Sequence, residues 1–310
     1  MTAHGVRAEP APGAQRSPPG RGGAGRRALR IYLEMIKIEH TVFALPFAFM
    51  GMVLAAEGWP RWPVVGWIVA AMVGARSAAM GFNRLVDRAI DAQNPRTASR
   101  ALPAGALGPG AVRAFIAASL ALLVVAAWRL DPLALALSPA AIAVILLYSY
   151  TKRFTAASHL VLGLGLAGAP LGAWIAVRGD VAPAAFALAL AVATWVAGFD
   201  VLYALQDERF DREQGLHSVP VRFGVRGALV LSAALHAVML AALALLPLLY
   251  PGRLGAGFAI GVAGCAALLV YQHWVVRPGD LSRLDAAFFQ ANGALAIWLF
   301  AATAFDILRP

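Results

Sequence analysis

A-A-M-G-F-N-R-L-V-D-R-A-I-D (78–91) and W-V-A-G-F-D-V-L-Y-A-L-Q-D-E-R-F-D (195–211) decide how this chain folds. Each closes an apolar run with polar residues at helical spacing: Asn83, Asp87 and Asp91 in the first, Asp200, Tyr203, Asp207 and Asp211 in the second. Asp87 and Asp207 are 120 positions apart, as are Asp91 and Asp211, and Tyr203 stands in the place of Asn83. Five of the ten aspartates in the 310 residues lie here. Ionised groups beside lipid are expensive and mark function, so the two stretches read as metal-binding walls facing one substrate.

The surrounding chain is 60% hydrophobic with a mean hydropathy of +0.70, whereas a soluble domain is roughly 45–50% apolar. That composition excludes an ordinary soluble domain and implies an all-α polytopic membrane protein. Apolar runs of a length that crosses the hydrocarbon core predict nine spans, near 41–56, 64–83, 112–128, 133–150, 159–177, 182–204, 226–248, 254–275 and 285–307. Residues 1–27, rich in Gly, Pro, Ala and Arg and without an apolar signal core, read as a disordered cytoplasmic tail, and 28–310 as one membrane domain.

The basic residues orient the spans. With the N-terminus inside, the cytoplasmic connections hold twenty Lys and Arg and the opposite side five, with Arg76 alone inside a span. That asymmetry is the positive-inside signal of a cytoplasmic membrane protein, and both acidic clusters then face the cytoplasm. The net charge of +10 is thus a signal of topology and attraction to anionic lipid, not of nucleic acid binding. A single cysteine, Cys265, excludes an internal disulfide and a cysteine zinc site. The repeat suggests two parallel four-helix units and a ninth helix, with no obligate protein partner evident.

At 100° per residue, Arg76, Asn83, Asp87 and Asp91 fall within roughly 80° on one continuous helix. The same count makes a stripe of Asp200, Tyr203, Asp207 and Asp211. Carboxylates of this kind suit Mg²⁺, which uses one or two of them together with substrate phosphate oxygens. Aspartates alone would repel a diphosphate, and the ion reverses that sign. Arg84, Arg88, Arg96, Arg100, Lys152, Arg153, Arg212 and Arg222 beside them would clamp the phosphates. A diphosphate ester held so could ionise into a dry, apolar tunnel.

Ordinary explanations stand beside these. Tyr148 and Tyr150 suit an aromatic belt at the membrane interface. His159 and His217 have no ligand spacing and read as structural, and Gly163, Gly165 and Gly168 read as close helix packing. A divalent-cation transporter would also use paired intramembrane acids, but near the bilayer midplane.

Four stretches carry a resemblance: I-K-I-E-H-T-V-F-A-L-P-F-A-F (36–49), N-R-L-V-D-R-A-I-D-A-Q-N-P-R-T-A-S-R-A-L-P-A-G (83–105), Y-S-Y-T-K-R-F-T (148–155) and D-V-L-Y-A-L-Q-D-E-R-F-D-R-E-Q-G-L-H-S-V-P-V-R-F-G (200–224). Through these the chain resembles the UbiA superfamily of intramembrane aromatic prenyltransferases, in particular its 4-hydroxybenzoate polyprenyltransferase group. The resemblance implies nine helices, two Mg²⁺ ions, a polyprenyl diphosphate donor and alkylation of an aromatic hydroxy acid ortho to its hydroxyl group, in quinone biosynthesis. By position it implies Asn83, Asp87 and Asp91 as the first metal motif and Asp207 and Asp211 as the second. Lys152 and Arg153, with Arg88 and Arg96, fall to the diphosphate. Asp200 and Tyr203 fall to the reacting centre. Arg76, costly to bury inside a span, reads on its own chemistry as facing the acceptor or the diphosphate, beside a structural pairing or snorkelling role. Lys37 stands where the hydroxybenzoate enzymes carry an acceptor-facing arginine, and His40 where they often have lysine. The R-x-x-D-x-x-x-D-x-x-N-P-R-T-A form is closest to a menaquinone-associated subgroup, so 1,4-dihydroxy-6-naphthoate stands beside 4-hydroxybenzoate as acceptor.

Overall fold

In lipid every backbone amide and carbonyl must find a partner within the protein, and apolar runs of this length satisfy them as helices. The computed structural model describes residues 21–37, 41–276, 281, 284 and 287–309, and every regular element among them is helical. The helices are α1 Arg21–Ile36, α2 Thr41–Ala56, α3 Trp62–Gln93, α4 Pro109–Leu130, α5 Pro132–Thr151, α6 Ser158–Arg178, α7 Pro183–Tyr203, α8 Glu208–Glu213, α9 Val219–Leu249, α10 Ala256–Val275 and α11 Asn292–Leu308. Among the described residues eight helices are long and apolar enough to cross a membrane, and the shorter apolar Ala44–Ala56 in α2 is the ninth candidate. Of the expected tail, residues 1–20 lie outside the described residues, as do residues 38–40 with His40, and α1 starts inside the tail at Arg21.

Local sequence sets the helix ends. Helices α3, α4, α5, α7 and α9 carry proline in their first two positions, where its missing amide hydrogen costs nothing. Asp131 caps α5 by accepting from the Leu133 amide at 2.7 Å, and Gly179 ends α6 in the left-handed conformation. Gly224, at φ 67° and ψ 178°, breaks α9 near its start. Helix α3 runs ten residues past the expected span end at position 83 and so carries Asp87 and Asp91 on a continuous helix.

Helix α7 is the bundle's centre, lying between α6 and α9, while α2 packs on α6 and α11, and α3 on α4 and α5. Apolar surface cannot drive this packing when lipid is equally apolar, so close backbone approach matters. A Cβ on Gly163 of α6 would stand 2.2 Å from the Ala193 carbonyl oxygen of α7, and one on Gly51 of α2 would stand 2.3 Å from that of Pro170. A Cβ on Gly165 would meet only the Ile145 side chain, at 3.7 Å, and one on Gly168 nothing within 4 Å, so of the three glycines read as packing residues only Gly163 has a neighbouring backbone against it. Phe47, Trp174, Trp195, Phe199, Leu243 and Leu299 fill the core. Trp195 also donates its indole N–H to the buried Asn292 amide oxygen at 3.1 Å, tying α7 to α11. Trp128, Val230, Leu248, Val270 and Phe305 are exposed on the outside, as expected of a surface whose solvent is hydrocarbon.

Candidate active site

The C-terminal ends of α3, α5 and α7 and the N-terminal ends of α6 and α9 meet around one cavity of about 270 Å³. Arg76, Asn83, Asp87 and Asp91 from α3 line it, as do Asp200, Tyr203, Asp207 and Asp211 from the second cluster, with Lys37, Arg96 and Lys152. The two stretches read as facing walls therefore share one space. The second wall differs from the expected continuous helix. Helix α7 ends at Tyr203, a 3-10 turn covers Ala204–Asp207, and Asp211 sits on the short α8. Asp207, at the end of this turn, meets the turn after α3, where Asn94 and Arg96 donate to it.

Acids and bases interleave around the cavity. Asp87, only 2% exposed, accepts from Lys152 Nζ at 2.6 Å, Arg153 Nη2 at 2.8 Å and Asn83 Nδ2 at 3.1 Å. Burial of a carboxylate demands such pairing. Asp91 accepts from Arg100 Nη1 at 2.7 Å through Oδ1, while its Oδ2 is buried without a hydrogen-bond partner. Asp207 takes two hydrogen bonds from Arg96, one of them Nε to Oδ1 at 3.0 Å, and a third from Asn94 at 3.2 Å. Burial alone lowers the Arg96 guanidinium, but the Asp207 hydrogen bond and charge outweigh it and leave Arg96 above its ordinary value. The Arg96 guanidinium also lies 5.7 Å from the Tyr203 ring centre.

Several basic residues were expected at the diphosphate, and their placements differ. Lys152 lines the cavity, and Arg153 reaches Asp87 from behind, anchored to the Ser149 carbonyl at 2.6 Å. Arg88 is exposed and does not line the cavity. It follows Asp87 by one residue, so it points about 100° away around the helix, whereas Arg84, three residues before Asp87, is buried and lines the cavity. Arg76 lines the cavity with its Nε buried and unpartnered. Lys37 reaches the cavity from a residue with φ 48°, just past α1.

His159, which has no ligand spacing in the sequence, places its Nδ1 2.7 Å from Asp200 Oδ2. No spacing could announce a contact across 41 residues between α6 and α7. Tyr148, read as part of an interfacial belt, also lines the cavity. Behind the acids the lining turns apolar with Leu162, Leu166, Val196 and Phe199. The acids gather at one end of the bundle, which is not the midplane arrangement expected of an ion path.

The residues fit a divalent cation. The donors are hard oxygens, and the orphaned Asp91 Oδ2 is a buried acceptor that only a cation or a donor would satisfy. Among the described residues no three acids, histidines or cysteines close on one point, and Mg²⁺ held by few protein ligands takes the rest from water and phosphate.

Comparison with known proteins gives the chain's relatives. The profile of the UbiA prenyltransferase family matches residues 44–300. A 4-hydroxybenzoate octaprenyltransferase of Vibrio vulnificus is 30% identical over 282 residues, which cover 88% of this chain and 97% of that protein. The apo structure of a UbiA homolog from Aeropyrum pernix K1 is 34% identical, with a TM-score of 0.79 over 87% of this chain and 99% of that one. A UbiA homolog from Archaeoglobus fulgidus bound to GPP and Mg²⁺ has the same fold at 19% identity, with a TM-score of 0.70 over 88% of this chain and 99% of that one.

Proposed function

The chain belongs to the UbiA prenyltransferase family, and from that premise we propose that it transfers a polyprenyl group from polyprenyl diphosphate to an aromatic hydroxy acid, with Mg²⁺, in quinone biosynthesis. The observation that carries this reading is the interleaving of five carboxylates with Arg84, Arg96, Arg100 and Lys152 around a cavity that continues into apolar Leu162, Leu166, Val196 and Phe199. A charged diphosphate and an apolar tail need those two surroundings side by side. The resemblance to a 4-hydroxybenzoate octaprenyltransferase supports the acceptor class.

In this reading Asp87, Asp91, Asp207 and Asp211, assisted by Asn83, would hold the metal ions. Bound Mg²⁺ supplies positive charge where the diphosphate gathers negative charge on leaving. Lys152, Arg153 and Arg96 now neutralise Asp87 and Asp207, and they turn to the phosphates as the donor enters. The apolar lining excludes water from the allylic cation. Asp200 faces the acceptor and takes its proton, Tyr203 and Arg76 line the reacting centre, and Lys37 meets the acceptor carboxylate. The site faces the cytoplasm from the inner membrane, in keeping with the basic connections at its end of the bundle.

The test is product formation by purified protein in detergent with Mg²⁺ and radiolabelled polyprenyl diphosphate, offered 4-hydroxybenzoate and 1,4-dihydroxy-6-naphthoate separately. Label in the lipid-soluble fraction with one acid, abolished by EDTA, names the acceptor. No product with either acid would remove the aromatic-acid reading.

A further inference from the structure

The amide N–H of Val219, at the first position of α9, points at Nε2 of His159 on α6 at 3.4 Å, and Nδ1 of that ring is 2.7 Å from Oδ2 of Asp200 on α7. The first amides of a helix lack an intrahelical acceptor, and a backbone amide can only donate. Nε2 is therefore the accepting nitrogen, which leaves the proton on Nδ1 to be donated to Asp200. Helix α9, through one imidazole, thus fixes the orientation of a carboxylate at the cavity. His159 is nearly enclosed, its side chain 6% exposed, while Asp200 keeps 19%, so one Asp200 oxygen is committed to the ring and the other is left for the cavity it lines.

We propose that His159 is the positioning residue of the acceptor base: it holds Asp200 so that the carboxylate's second oxygen takes the phenolic proton of the aromatic acid. The proposal rests on the prenyl-transfer reading above. In the step it serves, the phenolic proton passes to Asp200. The ring carbon ortho to that oxygen forms the new C–C bond as the allylic C–O bond breaks, its electron pair leaving with the diphosphate. The resulting dienone regains aromaticity when the proton on the alkylated carbon moves to the ring oxygen. One proton and one diphosphate are released for each prenyl group transferred, and no oxidant or reductant enters. A purely structural histidine would cap α9 equally well but would have no bearing on turnover.

The experiment compares full-length His159→Leu, which removes the donor, with His159→Asn, whose amide can place an N–H near the Nδ1 position. Three quantities are read: Mg²⁺-dependent binding of geranyl diphosphate, kcat and KM for the acceptor acid, and the same constants for Asp200→Asn with and without His159→Leu. The expected result is donor binding within about twofold of wild type in both variants, kcat lowered by about 10²-fold in His159→Leu, and substantial recovery in His159→Asn. Groups that act as a unit are non-additive, so adding His159→Leu to Asp200→Asn should lower kcat no further. Wild-type kcat in His159→Leu, equal failure of both variants with donor binding lost, or fully additive losses in the double variant would each overturn the assignment while leaving prenyl transfer intact. A wild-type protein inert toward every aromatic acid would overturn both readings together.

Discussion

Arg96, in the turn that follows α3, donates two hydrogen bonds to the carboxylate of Asp207, 111 residues further along the chain, and so joins the two acidic clusters directly. Both side chains remain partly open, 35% and 20% exposed, and ion pairs of that kind contribute at most about 1 kcal/mol to folding. The pair matters to the site more than to stability. Arg96→Gln is expected to leave the detergent melting temperature nearly unchanged while raising KM for the diphosphate donor by about tenfold, equivalent to ~1.4 kcal/mol. Steady-state kinetics alongside a thermal melt separates the two effects, and an unchanged donor KM would remove Arg96 from the phosphate clamp.

Asp91 uses one oxygen for Arg100 and leaves the other buried and unpartnered. An unsatisfied buried acceptor costs free energy unless something else meets it, and a cation is the natural candidate here. Asp91→Asn keeps the shape and removes the charge. It should lower activity by about 10²-fold, as removal of one group that stabilises developing charge does elsewhere, and should raise the Mg²⁺ concentration needed for half-maximal rate. If that concentration does not move, Asp91 is not a metal ligand.

Gly163 and Gly168 lie five residues apart on α6 but meet different surroundings. A methyl group at Gly163 would collide with the Ala193 carbonyl, whereas Gly168 has nothing within 4 Å of an added Cβ. Gly163→Ala should destabilise the α6–α7 crossing by about 1–3 kcal/mol, the usual cost of overpacking. Gly168→Ala should be neutral or slightly stabilising, since alanine is the better helix former. Melting temperatures of the two variants in detergent, measured side by side, decide whether the crossing is as close as it looks.

What the sequence made legible follows from periodicity and solvent. Apolar length reveals helices wherever lipid forbids other backbone states, and a fixed 100° step is enough to put Arg76, Asn83, Asp87 and Asp91 in one cavity. The same step also brings Asp200, Tyr203, Asp207 and Asp211 to that cavity, but it carries no sign of the 3-10 turn at Ala204–Asp207 that interrupts the second helix. Arg88 shows a related limit. It belongs to the motif by position, yet the helix turns it outward, and buried Arg84 faces the cavity instead. The contact between His159 and Asp200 was beyond reach because it depends on how α6 crosses α7. Pairings between elements distant in sequence, such as Arg96 with Asp207 and His159 with Asp200, are set by tertiary packing and carry no local signature.

The central claim is that the two acidic clusters hold a divalent cation that in turn holds the donor diphosphate. The most direct measurement is calorimetric titration of geranyl diphosphate into the purified protein with Mg²⁺ and with EDTA, repeated on Asp87→Asn and Asp207→Asn. Binding that requires Mg²⁺ in the wild type and is weakened by about tenfold or more in each variant, a loss of ~1.4 kcal/mol, is the predicted result. Equal binding in EDTA, or undiminished Mg²⁺-dependent binding in both correctly folded variants, would contradict it.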